Sequence, residues 1–182
     1  MREAPPAVPA ASALLVVDVQ RYFEAMCRAV LPAIEQAVAG ARARGVALFF
    51  TQHGHAPDDD GMLHEWWGDV IAEGTREYAL LLPPGEDPVI AKNRYDAFFG
   101  TDLEERLRGN GVTDVAICGV MTNLCVETTA RTAFVKDFRV RVLSDATATA
   151  SQDMHRASLL NLEYGFAYLQ TAEQWLASLG AA

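Results

Sequence analysis

The sequence has no surplus of positive charge. Its 15 Lys and Arg face 24 Asp and Glu, a formal charge of −9, and no basic stretch interrupts the excess. Nucleic acid and anionic membrane surfaces both require clustered cations to neutralise phosphate, so neither is an expected partner and a small molecule is. No apolar run approaches the ~20 residues of a membrane-spanning helix. The opening "MREAPPAVPAAS" lacks the basic-then-apolar order of a secretory leader. Cysteine is scarce: Cys27, Cys118 and Cys125 are an odd number, and none falls in a CxxC or zinc-finger spacing. Reduced thiols in a cytoplasmic protein follow, not a disulfide framework. There is no internal repeat, and no low-complexity segment beyond the alanine-rich ends.

What is present is ordinary globular composition, 51% hydrophobic and 21% charged over 182 residues, which suits one domain over residues 1–182. Prolines 5, 6 and 9 predict a loose segment over residues 1–12. "ALLVVD" from Ala13 is a short unbroken apolar run ending in a carboxylate, the pattern of a strand covered on both faces. Val30, Ile34, Ala37, Val38 and Ala41 then recur at helical spacing, with Pro32 in the first turn and Gly45 past the end. Further strands read at "VALFFTQ", "PVIAK", "VAICGV", "VRVLSD" and "FAYLQ". Thr101 with Glu104, and Thr171 with Gln174, match the capping-box signature of a helix start. Six strands alternating with helices predict an α/β three-layer sandwich around a mostly parallel, Rossmann-like sheet. Residues 53–87 are the exception. That connection is long, carries two adjacent tryptophans and predicts at most a short helix near Asp69 to Glu73, and such connections inside compact domains are usually functional.

In parallel sheets ligands bind beyond the carboxyl ends of the strands. There the sequence places Asp18 and Gln20, then Gln52, His53 and His55, then Lys92, then Met121 to Cys125, then Asp145. A thiol of pKa about 8.5 is only ~3% ionised at neutral pH, so a nucleophilic cysteine needs its anion stabilised. A helix start and a nearby ammonium would both do that for Cys125 and depress its pKa. The free N–H groups of the same helix start could receive a tetrahedral oxyanion. Asp18, at a strand end, could pass a proton to a leaving nitrogen and later take one from water. Cys27 and Cys118 read as small buried hydrophobes.

These residues carry a resemblance. "LLVVDVQRYF", "VIAKNRYDAFFGTDLEERLRGNGVTDVAICGVMTNLCVETTARTAF" and "RVRVLSDATAT" are similar, in order and from about Ala13 to Leu169, to the isochorismatase-like cysteine hydrolase superfamily, which includes nicotinamidases and N-carbamoylsarcosine amidase. The resemblance implies strand order 3-2-1-4-5-6 and a triad of Asp18 as acid and base, Lys92 as charge stabiliser and Cys125 as nucleophile. It also implies a cis peptide between Val120 and Met121, and an oxyanion hole formed by the N–H groups of Met121 and Cys125. Family members commonly form dimers or tetramers, so a homo-oligomer is expected.

Two departures refine that expectation. The branch that cleaves isochorismate, a vinyl ether, usually has glycine where Cys125 stands, so cysteine favours C–N hydrolysis through a thioester. The alternatives are isochorismate hydrolysis through Asp18 and a non-catalytic oligomeric scaffold. The nicotinamidase branch carries a metal site of the form Asp-x-His with a further His, whereas this chain offers His53, His55 and His64. A divalent metal on those three imidazoles is the one cofactor weighed, and the expectation is none, with the "DDD" at 58 to 60 a solvated loop. Phe23, Gln52, Trp67, Tyr95 and Phe98 are the candidate substrate-binding residues. Either reading of Asp18 or Lys92 alone, a turn former or a solvated strand-end charge, is bland; only their joint presence with Cys125 points to chemistry.

Overall fold

The computed structural model describes residues 3–59 and 61–180, so Asp60 of the acidic run lies outside the described residues. Six strands form one sheet: β1 (Ser12–Val17), β2 (Ala47–His53), β3 (Val89–Lys92), β4 (Asp114–Val120), β5 (Arg139–Ala148) and β6 (Tyr168–Gln170). The order is β3-β2-β1-β4-β5-β6, and every pairing is parallel, not merely most of them. β1 and β4 are buried along their whole lengths, which is why their sequences are unbroken apolar runs without alternation.

Helices cover both faces, and each face has its own core. On one, Leu14, Val16, Leu48, Phe50 and Cys118 pack under α2 (Leu31–Ala43) and α7 (Ala172–Ser178). On the other, Leu15, Val17, Phe49, Ile117 and Cys125 pack with Leu103 and Leu107 of α4 (Leu103–Gly109) and Ala130 and Ala133 of α5 (Glu127–Val135). Burying each such aliphatic side chain contributes ~1.5–3 kcal/mol. α1 (Glu24–Cys27), α3 (Met62–Trp67) and α6 (Gln152–Gly165) complete the set.

Local signals differ in how they are used. Thr171 and Gln174 form the full capping box of α7. The Thr101–Glu104 box does not form: Asp102 is the N-cap of α4, the Thr101 hydroxyl donates to the Ala97 carbonyl at 2.6 Å, and Glu104 reaches Lys136 and Arg108 instead. The helix expected near Asp69 lies earlier, at Met62–Trp67, and ends where Gly68 takes φ 68°, a left-handed conformation open to glycine. From Pro5 onward the segment expected to be loose is anchored, because Ala7 N–H donates to Ser178 O at 3.0 Å and Arg141 donates to Pro5 O at 2.8 Å.

Candidate active site

The carboxyl ends of β1, β2, β3 and β4 converge on one spot. Asp18 follows β1 with φ 50°, fully buried, and its carboxylate Oδ2 stands 2.7 Å from Lys92 Nζ at the end of β3. Thr51 of β2 clamps it twice: the hydroxyl donates to Asp18 Oδ1 at 2.5 Å and accepts the Asp18 N–H at 3.1 Å. Beyond that contact with Lys92, Asp18 Oδ2 has no partner among the described residues, so the oxygen keeps acceptor capacity. Lys92 also donates to Arg94 O at 3.0 Å, which fixes the ammonium against the carboxylate.

Cys125 interacts with both members of this pair. It sits in a π-helical turn, Thr122–Val126, that runs directly into α5, so the thiol is carried by a π-turn and not by the first turn of an α-helix. π-turns recur at functional sites. The peptide between Val120 and Met121 is cis. Just before it, Gly119 has φ +112° and so little room that a Cβ would stand 2.0 Å from Val17 O; glycine lets β4 pass close to the chain that delivers Asp18. The Met121 N–H makes no backbone hydrogen bond among the described residues, and Cys125 N–H lies in the same turn. α6 pins that turn through Ser158, whose hydroxyl donates to Thr122 O at 3.0 Å, and through His155 Nδ1, 2.9 Å from Thr122 Oγ1.

The electrostatics correct one expectation. Burial pushes the Cys125 thiol up to about 12; Lys92 pulls it back and Asp18 adds to the rise. Dehydration of a thiolate opposes the pull of one ammonium that is already paired with a carboxylate, so the direction of the shift is opposite to the depression that the turn context predicts. Burial pulls the Lys92 ammonium down, but Asp18 and then Cys125 outweigh it and hold its pKa above the ordinary lysine value. Cys27 and Cys118 are buried, and burial raises both thiols.

Cys125 opens onto a cavity of about 440 Å³ lined by Phe23, Trp67, Tyr95, Met121, Asn123 and Leu124, among others, a size suited to a small ligand. Trp67 and Tyr95 are joined across its mouth by a 2.7 Å hydrogen bond from the indole N–H to the phenol oxygen. Two expected binding residues lie elsewhere. Gln52 points to the opposite face of β2 from Thr51 and donates to Tyr78 O at 2.9 Å. Phe98 is buried in the core against Phe138, ring centroids 6.1 Å apart. Gln20 is also structural: it accepts the His53 N–H at 2.8 Å and donates to Tyr78 O at 2.8 Å, fastening the long connection to β1.

The histidines do not assemble as a three-imidazole cluster. His53 Nε2 and His55 Nε2 are 3.3 Å apart, and His55 Nδ1 is 2.9 Å from Asp59, but His64 is exposed on α3. Among the described residues no group of three His, Cys, Asp or Glu is placed to hold a metal ion. Burial, with Lys92 adding to it, pushes His53 down to about 4.

With this geometry the comparisons decide the family. The Isochorismatase domain model matches residues 12–174. The chain belongs to the isochorismatase family. It is 45% identical over 175 residues to nicotinamidase 3 of Arabidopsis thaliana, covering 92% of this chain and 88% of that one. To a ureidoacrylate amidohydrolase of Methylobacterium radiotolerans it is 33% identical, covering 94% and 81%. A crystal structure of a cysteine hydrolase from Pseudomonas syringae pv. phaseolicola superposes with TM-score 0.89 at 25% identity, covering 98% of each chain. The isochorismatase-like protein described here is a hydrolase of amide and related C–N bonds, and nothing in these likenesses favours vinyl-ether cleavage.

Proposed function

We propose that the protein hydrolyses the primary carboxamide of a small flat ring through a thioester on Cys125. The observation that carries the reading is the meeting of Asp18, Lys92 and Cys125 beside a cavity walled by Phe23, Trp67 and Tyr95. The name of the Arabidopsis relative makes nicotinamide the first substrate to assay. Aromatic walls suit a planar ring by offset or edge-on stacking.

The chemistry follows from a buried thiol beside a carboxylate. As Cys125 Sγ adds to the carbonyl carbon, its proton passes to Asp18, and the carbonyl oxygen gains charge facing the N–H groups of Met121 and Cys125. One such donor is typically worth ~3 kcal/mol in the transition state. Asp18 then gives the proton to the nitrogen, the C–N bond breaks, and ammonia leaves the thioester. Water attacks that thioester, Asp18 takes its proton, the C–S bond breaks, and the acid departs with the thiol re-protonated. Lys92 keeps Asp18 in place and balances its charge throughout. With Asp18 beside the thiol to take its proton, this base-assisted route needs no standing thiolate.

Cys125→Ala should lower kcat/KM for nicotinamide by at least ~10⁴-fold with the far-UV spectrum and Tm unchanged, a loss of ~5 kcal/mol or more of transition-state stabilisation. Retained turnover would end the covalent mechanism. The proposal extends to a cytoplasmic homo-oligomer that needs no cofactor. Phe99, Phe134, Leu160 and Tyr164 are exposed apolar side chains on which subunits could meet, native mass spectrometry would count the subunits, and chelation should leave turnover unchanged.

A further inference from the structure

The cavity onto which Cys125 opens has an unbalanced charge. Among the described residues none that lines it is Lys or Arg, and the one carboxylate is Asp69. Asp69 is exposed at the rim, where Tyr22 donates to its Oδ2 at 3.2 Å and Oδ1 has no partner among the described residues. The two imidazoles that line the cavity are engaged with each other at 3.3 Å, and with Lys92 at 3.5 Å and Asp59 at 2.9 Å. Any positive charge on His55 is therefore already faced by a carboxylate. The nearest ammonium, Lys92, is fully buried and paired with Asp18 at 2.7 Å. Most of the remaining wall is apolar, with Phe23, Leu63, Trp67, Val70, Ile71 and Leu124, which solvate an anion poorly, and Asn123 is a neutral polar side chain on it. The whole chain adds a formal −9.

Resting on the proposed amide hydrolysis at Cys125, we infer that the site selects substrates carrying no negative charge and that Asp69 is a specificity-determining residue that repels carboxylate-bearing amides and ureides. A carboxylate entering this cavity would lose its water, meet no free cation and approach Asp69, so each term opposes it. A neutral carboxamide loses only amide hydration, which polar groups at the site can replace. The same field favours turnover at its end, because the acid product carries the charge that the amide lacked and is expelled by the wall that admitted its precursor.

The test separates this inference from the reading on which it rests. Alkylation of Cys125 in the intact protein is followed by peptide mass spectrometry with neutral iodoacetamide and anionic iodoacetate, each rate divided by that of 2-mercaptoethanol. The normalised preference for iodoacetamide should be at least tenfold, and Asp69→Lys should reduce it at least threefold. Equal normalised rates, or a ratio unmoved by Asp69→Lys, overturn the inference whatever the turnover assay gives. If Cys125 does not react, charge selection is read from turnover of 5-carbamoylnicotinic acid against its methyl ester. A ratio of at least tenfold in favour of the ester then supports selection, and a ratio near one overturns it.

Discussion

Two buried ion pairs stand at opposite ends of the same sheet, and they differ in how completely they are satisfied. At the amino end, Arg141 holds Asp114 with two hydrogen bonds of 2.7 and 2.8 Å, and spends its other donors on Gln170 at 2.9 Å and Pro5 O at 2.8 Å. Arg139 adds a second cation 3.6 Å from the same carboxylate. At the carboxyl end, Lys92 and Asp18 Oδ2 approach to 2.7 Å, that oxygen has no further partner among the described residues, and the pair lies against a thiol that opens on a cavity. A fully bonded guanidinium and carboxylate are a fastener. An incompletely bonded carboxylate is a group still able to take and give a proton. Burial alone therefore does not mark function; burial with capacity left over does.

Breaking the two pairs should differ in what it does to activity. Asp18→Asn, which keeps the shape and removes the base, should lower kcat/KM per folded molecule by ~10³–10⁴-fold, by analogy with the size of general acid–base and nucleophile-activation effects, and should also lower Tm, because it leaves the buried Lys92 ammonium without its counter-charge. Arg141→Ala should leave activity per folded molecule unchanged while destabilising the protein by ~3–5 kcal/mol, because it strands Asp114 in the interior. Urea unfolding and initial rates on the same samples read both. If Arg141→Ala lost activity in a still-folded protein, the two ends would not be as distinct as their bonding implies.

A smaller effect sharpens the comparison at the carboxyl end. Thr51→Val, nearly isosteric, removes both hydrogen bonds that position Asp18 and should cost ~1–3 kcal/mol in kcat/KM, or about 10- to 100-fold, mostly in kcat. A KM change alone would mean that Thr51 touches substrate and does not hold Asp18.

The charge state of Cys125 gives the mildest readout. A thiol pushed up to about 12 stays protonated across the neutral range, so its thiolate fraction rises about tenfold per pH unit below that value. Its alkylation by iodoacetamide should therefore climb without levelling between pH 6 and pH 9. A plateau near pH 7 would restore the depressed thiol that the turn context alone suggests.

Why some of this was legible in the sequence and some not follows from which interactions are local. The strands were readable because a parallel sheet buried on both faces demands unbroken apolar runs, and "ALLVVD" and "VAICGV" have them. Thr171 and Gln174 cap α7 as their spacing suggests, since nothing competes for them. Thr101 and Glu104 do not, since Lys136 and Arg108 lie within reach of Glu104. Thr51 was missed and Gln52 misplaced by one residue of alternation: Phe49 belongs to the core that contains Cys125 and Phe50 to the other, so on a strand Thr51 shares the face of the thiol and Gln52 does not. That signal was available. The raised Cys125 pKa and the place of Phe98 were not, because both depend on how tightly distant segments close over them.

Chemistry that passes through Cys125 must stop when that thiol is blocked. The thiol is titrated with iodoacetamide, and residual nicotinamide hydrolysis, or that of the best carboxamide found, is plotted against the fraction of Cys125 alkylated as measured by peptide mass spectrometry. A straight line reaching zero activity at complete alkylation of Cys125, with Cys27 and Cys118 unmodified, is the predicted result. Full activity in protein whose Cys125 is completely alkylated would contradict it.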